Sequence, residues 1–111
     1  MFHTKQQRKD LCADCPVARI ADIIGDSGVQ LIIRDLLKGP QRFGDFEKSL
    51  VGVSTRTLTK KLRLLEMQGM LIRKKSKGNT LHIEYMLTEK GKGLKAVMIA
   101  MQKYGEKYLM K

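Results

Sequence analysis

The chain has 111 residues, 42% of them apolar, with no Trp, seven Met and a formal net charge of +11. That length allows one domain and excludes two comfortable ones, and the apolar content is enough for a real core, which excludes wholesale disorder. The charge points to a polyanionic partner, and the longest apolar run, Ala96 to Met101, is far too short to cross a bilayer.

Residues 1–11 read as a polar, basic arm, and the lack of an apolar leader there places the protein in the cytoplasm as an expectation. No repeat, linker or low-complexity tract divides 12–111, which is expected to be a single domain. Asp14-Cys15-Pro16 begins a first helix, with Pro16 at the tolerated first-turn position and Val17, Ile20, Ile23 and Ile24 as its apolar stripe. Asp26 caps a second helix that runs through Leu31, Ile32, Leu36 and Leu37 and is closed by Gly39-Pro40. A short helix from about Phe43 to Leu50 follows, and Val51-Gly52-Val53 forms a tight turn.

The stretch from Ser54 to Gly69 has two faces and clean ends. Ser54 is a good N-cap because its hydroxyl accepts from an orphan amide of the first turn, and Gly69 suits the left-handed residue that stops a helix. Leu58, Leu62 and Leu65 recur at helical spacing and form a core stripe. Arg56, Lys60 and Arg63 have the same spacing, about 200° away at roughly 100° per residue. Beyond Gly69, 71–76 and 81–87 read as two strands, with Leu81, Ile83, Tyr85 and Leu87 alternating and Lys77-Gly78-Asn79-Thr80 as the turn between them. Thr88 caps a long last helix of about 89–110, with Glu89 well placed for its dipole.

The fold class that follows is mainly α with a small β-hairpin: three helices and then a basic two-stranded wing, the winged helix-turn-helix order. In that arrangement the helix after the turn enters the major groove of double-stranded DNA. Residues 54–79 carry eight Lys or Arg against the single acid Glu66, a clustering that favours a nucleic-acid footprint over a merely solvated face. Ser54, Thr55, Arg56, Thr57, Thr59, Lys60, Lys61 and Arg63 are the DNA-facing candidates. Arg56 matches the O6 and N7 of a guanine with its planar fork, while Lys60, Lys61 and Arg63 suit phosphates. Lys74, Lys75, Lys77 and Asn79 would extend the contact along the wing. Lysines guarding a strand edge against aggregation are the competing explanation for Lys74 or Lys75.

With these segments in order, the chain resembles the HxlR-type transcriptional regulators, a winged-helix group related to the MarR regulators. The resemblance covers about 12–110. It rests on Cys15-Pro16-Val17, on Leu31-Ile32-Ile33-Arg34-Asp35-Leu36 with Gly39-Pro40, and on Arg42-Phe43-Gly44-Asp45-Phe46. It continues through Gly52-Val53-Ser54-Thr55-Arg56-Thr57-Leu58-Thr59, Leu62 with Leu65-Glu66, Gly69-Met70-Leu71-Ile72, and Glu84-Tyr85 with Leu87-Thr88-Glu89-Lys90-Gly91. It implies homodimers that bind inverted-repeat operators and repress or activate nearby genes. Two departures stand out. The Lys-Trp pair usual at the start of the second helix is replaced by Ser27-Gly28, and the Pro pair common in the wing is absent from Asn79-Thr80-Leu81-His82.

Cys12 and Cys15 form a C-x-x-C. The resemblance matches Cys15 to a cysteine that senses thiol stress in several family regulators. Its place beside a helix N-terminus favours the reactive thiolate, with either Cys12 as a resolving thiol or a second Cys15 across a dimer as its partner, whereas two inert reduced thiols are the ordinary state in a cytosol. Only His3 and His82 could complete a zinc site, so no metal is expected, and no cofactor motif or catalytic constellation appears. The protein is read as a non-enzyme. In the last helix Leu94, Val97, Met101, Tyr104 and Tyr108 form a coiled-coil-like seam, widened by Met98, which is the expected homodimer interface. A two-fold dimer would set two recognition helices about one DNA turn apart. A small-molecule effector held between the DNA-binding part and the dimer helix is left open. A winged-helix protein-interaction adaptor, or a nonspecific nucleic-acid binder, is the alternative.

Overall fold

The computed structural model describes residues 15–75 and 82–110. Helix α1 (Pro16–Ile24) starts as expected, with Cys15 as N-cap, its sulfur accepting from the Ala18 amide at 3.4 Å. Ile24 is buried and Ile20 and Ile23 lean on the core, but Val17 is 74% exposed. In α2 (Ser27–Lys38) Asp26 is the N-cap, accepting from the Gly28 amide at 2.8 Å. Its core face is Val29, Ile32, Ile33 and Leu36, a clean i, i+3, i+4, i+7 stripe. Leu31 falls off that stripe and is exposed, and Leu37 is only partly buried.

Asp35 is the one buried charged side chain among the described residues. Burial of a carboxylate demands a partner, and the Arg34 guanidinium supplies it at 3.1 and 3.2 Å while also donating to the Ser49 hydroxyl at 3.3 Å. Gly39 then turns the chain at φ +147°, a region that disfavours side chains. Strand β1 (Gln41–Arg42) follows, an element the sequence does not announce. Two residues are too few to show a period, so only pairing with a distant strand defines them. Helix α3 (Phe43–Ser49) begins with the Asp45 carboxylate accepting from the Arg42 amide at 2.8 Å, and it buries Phe46 completely. A turn through Gly52, at φ +93°, leads into α4 (Thr55–Met67).

Strands β2 (Leu71–Lys75) and β3 (Ile83–Leu87) pair antiparallel, Leu71 opposite Leu87 and Lys75 opposite Ile83. The order in the sheet is β1-β3-β2, so the wing is three-stranded with β3 at its centre. The expected turn, Lys77-Gly78-Asn79-Thr80, and Leu81 of the expected second strand lie outside the described residues. The long last helix is divided: α5 (Glu89–Lys92) ends at Gly93 and α6 (Leu94–Tyr108) starts anew. Gly91 and Gly93 weaken helical continuity at that point. The core gathers Ile32 and Ile33 from α2, Phe46 from α3, Leu58 and Leu65 from α4 and Leu71 from β2. Every buried side-chain nitrogen and oxygen among the described residues has a hydrogen-bond partner. No described helix is long and apolar enough to cross a membrane.

Candidate nucleic-acid interface

Helix α4 is presented by local chemistry at both ends. The Ser54 hydroxyl oxygen accepts from the Thr57 amide at 3.1 Å, removing one of the orphan donors of the first turn. At the other end Gly69 takes φ +74°. Its amide donates to the Glu66 carbonyl at 3.0 Å and the Met70 amide to that of Leu65 at 2.9 Å, the paired closing bonds of a Schellman motif. Leu58, Leu62 and Leu65 are buried to 2% exposure or less, so the leucine stripe is the inner face. Arg56, Lys60 and Arg63 are exposed on the outer face. Met67, 84% exposed, continues that line at the same spacing.

The hydroxyls of the helix start are partly engaged. Ser54 and Thr57 bond to each other at 3.0 Å, and Thr59 donates to the Thr55 carbonyl at 2.8 Å. Each hydroxyl oxygen retains acceptor capacity. Thr55 is exposed, and Lys74 and Lys75 are exposed on β2. Arg56, Lys60, Arg63, Lys74 and Lys75 have no ion-pair partner among the described residues. They leave exposed cations on both α4 and the wing without an ion-pair partner among the described residues, and free cations are what holding phosphates requires.

Two other cations of this region are tied inward. The Lys61 ammonium pairs with the Asp26 carboxylate, and the Arg73 Nε pairs with the Glu66 carboxylate at 3.2 Å. The bond from Lys61, opposed by burial and helped by the Gly28 amide, holds the Asp26 carboxyl below its ordinary value. The Lys61 stem crosses α2 at Gly28, where a Cβ would sit 2.9 Å from the Lys61 Cε. Ser27-Gly28, the departure noted in the sequence, is therefore the place where this lysine lies.

The supports under the end of α4 were missed by sequence reasoning. The Thr88 hydroxyl donates to the Gly69 carbonyl at 2.6 Å and the Lys90 ammonium to the Gln68 carbonyl at 2.7 Å. A cation there also complements the negative end of the helix dipole. Thr88 serves its own helix too, accepting from the Gly91 amide at 3.1 Å, and that local cap was the only signal legible in sequence. Behind the wing, Tyr85 meets Phe46 edge-on with ring centroids 6.0 Å apart. Burial pushes its phenol up, opposed by the charge of Arg73.

The remaining candidates are scattered. Cys15 is exposed, while Cys12 lies outside the described residues. Leu94, expected on the seam of the last helix, is 5% exposed in the domain's own core, because it sits at the first turn of α6 where the core closes. Val97 and Met98 are half-buried against that core. Met101, Tyr104 and Tyr108 stand exposed, the two tyrosine rings 4.9 Å apart. Among the described residues no three His, Cys, Asp or Glu side chains gather as a metal site.

A family model described as HxlR-like helix-turn-helix matches residues 23–111. The HTH-type transcriptional regulator YdeP of Bacillus subtilis is 38% identical over 94 residues, covering 85% of this chain and 73% of that protein. The regulator sll1512 of Synechocystis is 37% identical over 95 residues, 86% of this chain and 70% of its own. Among solved structures, the redox regulator HypR in its reduced form superposes with a TM-score of 0.78 at 30% identity, over 83% of this chain and 91% of that one. The reduced form of the transcriptional regulator YodB from Bacillus subtilis gives 0.77 at 30% identity, over 86% and 94%. A winged helix-turn-helix with this sequence likeness places the chain in the HxlR-like family of helix-turn-helix transcriptional regulators.

Proposed function

We propose that the protein binds double-stranded DNA sequence-specifically, as a homodimer on an inverted-repeat operator, and regulates transcription from it. The observation that carries this reading is the exposed line of Arg56, Lys60 and Arg63 on a helix whose opposite face is locked in the core. Arg56, in the first turn, reads a guanine, since the start of a recognition helix approaches base edges. Lys60 and Arg63 hold phosphates, and Lys74 and Lys75 carry the footprint onto the wing. The exposed Met101, Tyr104 and Tyr108 of α6 support pairing with a second copy, which would account for so much uncovered apolar surface at one helix.

A thiol response at Cys15 is a second element of the reading. It is supported by the exposure of this thiol at the start of α1 and by the likeness to HypR, a redox regulator.

The test is selection of genomic fragments by the purified protein, with and without a thiol oxidant. The expected result is enrichment of an inverted repeat, with enrichment altered by oxidant. Enrichment indifferent to oxidant would retire the cysteine response alone. No enrichment would overturn the DNA-binding reading and favour a protein-interaction role. On the selected operator, Arg56→Ala is expected to cost about 1–3 kcal/mol and to relax the preference at one base pair. A full binding-site profile identical to wild type would remove Arg56 from that role.

A further inference from the structure

We propose that Lys61 is a positioning residue, not a phosphate contact: pairing with Asp26 across Gly28, it sets how the DNA-facing helix sits on α2. This refines the expectation that all four cations of α4 face the polyanion, and it rests on the DNA-binding reading above.

Three observations converge. Lys61 lies about 140° round the helix from Arg56, beside the leucine stripe instead of on the outer line. Its side chain is only 19% exposed, whereas Arg56, Lys60 and Arg63 stand exposed. Its path is shaped by its neighbour, because any side chain at position 28 would crowd its terminal methylenes at 2.9 and 3.1 Å. Asp26 in turn does two jobs. One carboxylate oxygen caps α2 through the Gly28 amide, and the other takes the lysine. The pair thus joins the first turn of α2 to the middle of α4. On the other side of α4, Glu66 and Arg73 join the helix to β2 at 3.2 Å. Two pairs, one towards the scaffold and one towards the wing, hold the helix that carries Arg56.

The experiment is the salt dependence of binding, by titration against the selected operator and a random duplex, for Lys60→Met, Lys61→Met, Asp26→Asn and the Asp26→Asn/Lys61→Met double variant. Methionine keeps the lysine stem and asparagine keeps the cap, so all four are expected to fold, which urea unfolding checks. Lys60→Met should reduce the slope of log affinity against log salt by about 1. Lys61→Met should leave the slope at the wild-type value yet weaken operator binding about three- to fivefold, the range of a partly exposed pair. Binding to the random duplex should hardly change. The double variant should be no weaker than Lys61→Met, because both remove one interaction. A slope lowered by Lys61→Met as much as by Lys60→Met would overturn the proposal, as would additive losses in the double variant. If Lys60→Met also leaves the slope unchanged, the DNA-facing reading of α4 itself fails, and the positioning role falls with it.

Discussion

Phe46→Ala is expected to cost about 3–5 kcal/mol of stability, against the roughly 5–15 kcal/mol typical of a whole domain. The ring is wholly buried on a helix of seven residues and meets Tyr85 edge-on, so it joins the helix before the turn to the central strand of the wing. Its removal leaves a cavity that α3 cannot close alone, because the Arg34 bond to Ser49 and the pairing of β1 with β3 hold the ends of that segment. Urea unfolding should show a lower midpoint at an unchanged slope. Phe46→Leu, which keeps most of the volume, should cost less. A shift equivalent to under about 1 kcal/mol for the alanine variant would mean that the ring does not sit in a closed core.

Gly91→Ala comes next in size. Alanine normally improves a helix over glycine by about 1 kcal/mol. Here the added Cβ would lie 2.1 Å from the Met70 carbonyl oxygen and 2.9 Å from a Leu87 methyl. That carbonyl cannot step aside, since it accepts the Thr88 amide at 3.0 Å just where α4 turns into β2. Overpacking against backbone should therefore destabilise at the upper end of about 1–3 kcal/mol, or beyond it. The same substitution at Gly105, where nothing lies within 4 Å of the added atom, should be neutral or stabilising. Thermal unfolding of both variants gives the comparison. Similar melting temperatures would show that α5 does not pack on the end of α4 as described.

Function and stability meet at this junction. Thr88 and Lys90 satisfy the last carbonyls of α4, while Gly91 lets α5 approach closely enough for them to do so. The segment Leu87-Thr88-Glu89-Lys90-Gly91 reads in sequence as the start of the last helix. In three dimensions it is also the seat of the helix that carries the basic line.

Most features that depend on neighbours along the chain are legible in the sequence, the break of the last helix at Gly93 being the exception. Asp26, Ser54 and Thr88 cap the helices they precede, Gly69 ends α4, and the leucines of α4 face inward. Capping bonds and helical periods are made within one or two turns, so residue type and spacing determine them. The order of helices and strands, and with it the winged-helix class, follows from the same short-range rules.

Only the tertiary structure decided what depends on distant partners. Strand β1 exists because Gln41 and Arg42 meet Tyr85 and Glu84, more than forty residues on. Leu94 is spent in the core and Val17 is exposed, although both belong to apolar stripes, because a stripe specifies a face and not how far the rest of the chain covers it. Lys61 and Arg63 are both cations of α4, and helical spacing sets them on different faces without saying what either meets. One faces solvent and the other finds Asp26, 35 positions earlier, because packing α4 on α2 brings that carboxylate within its reach. Local chemistry determined which helix would carry the charge, and long-range packing decided which of its charges are left free to meet a partner.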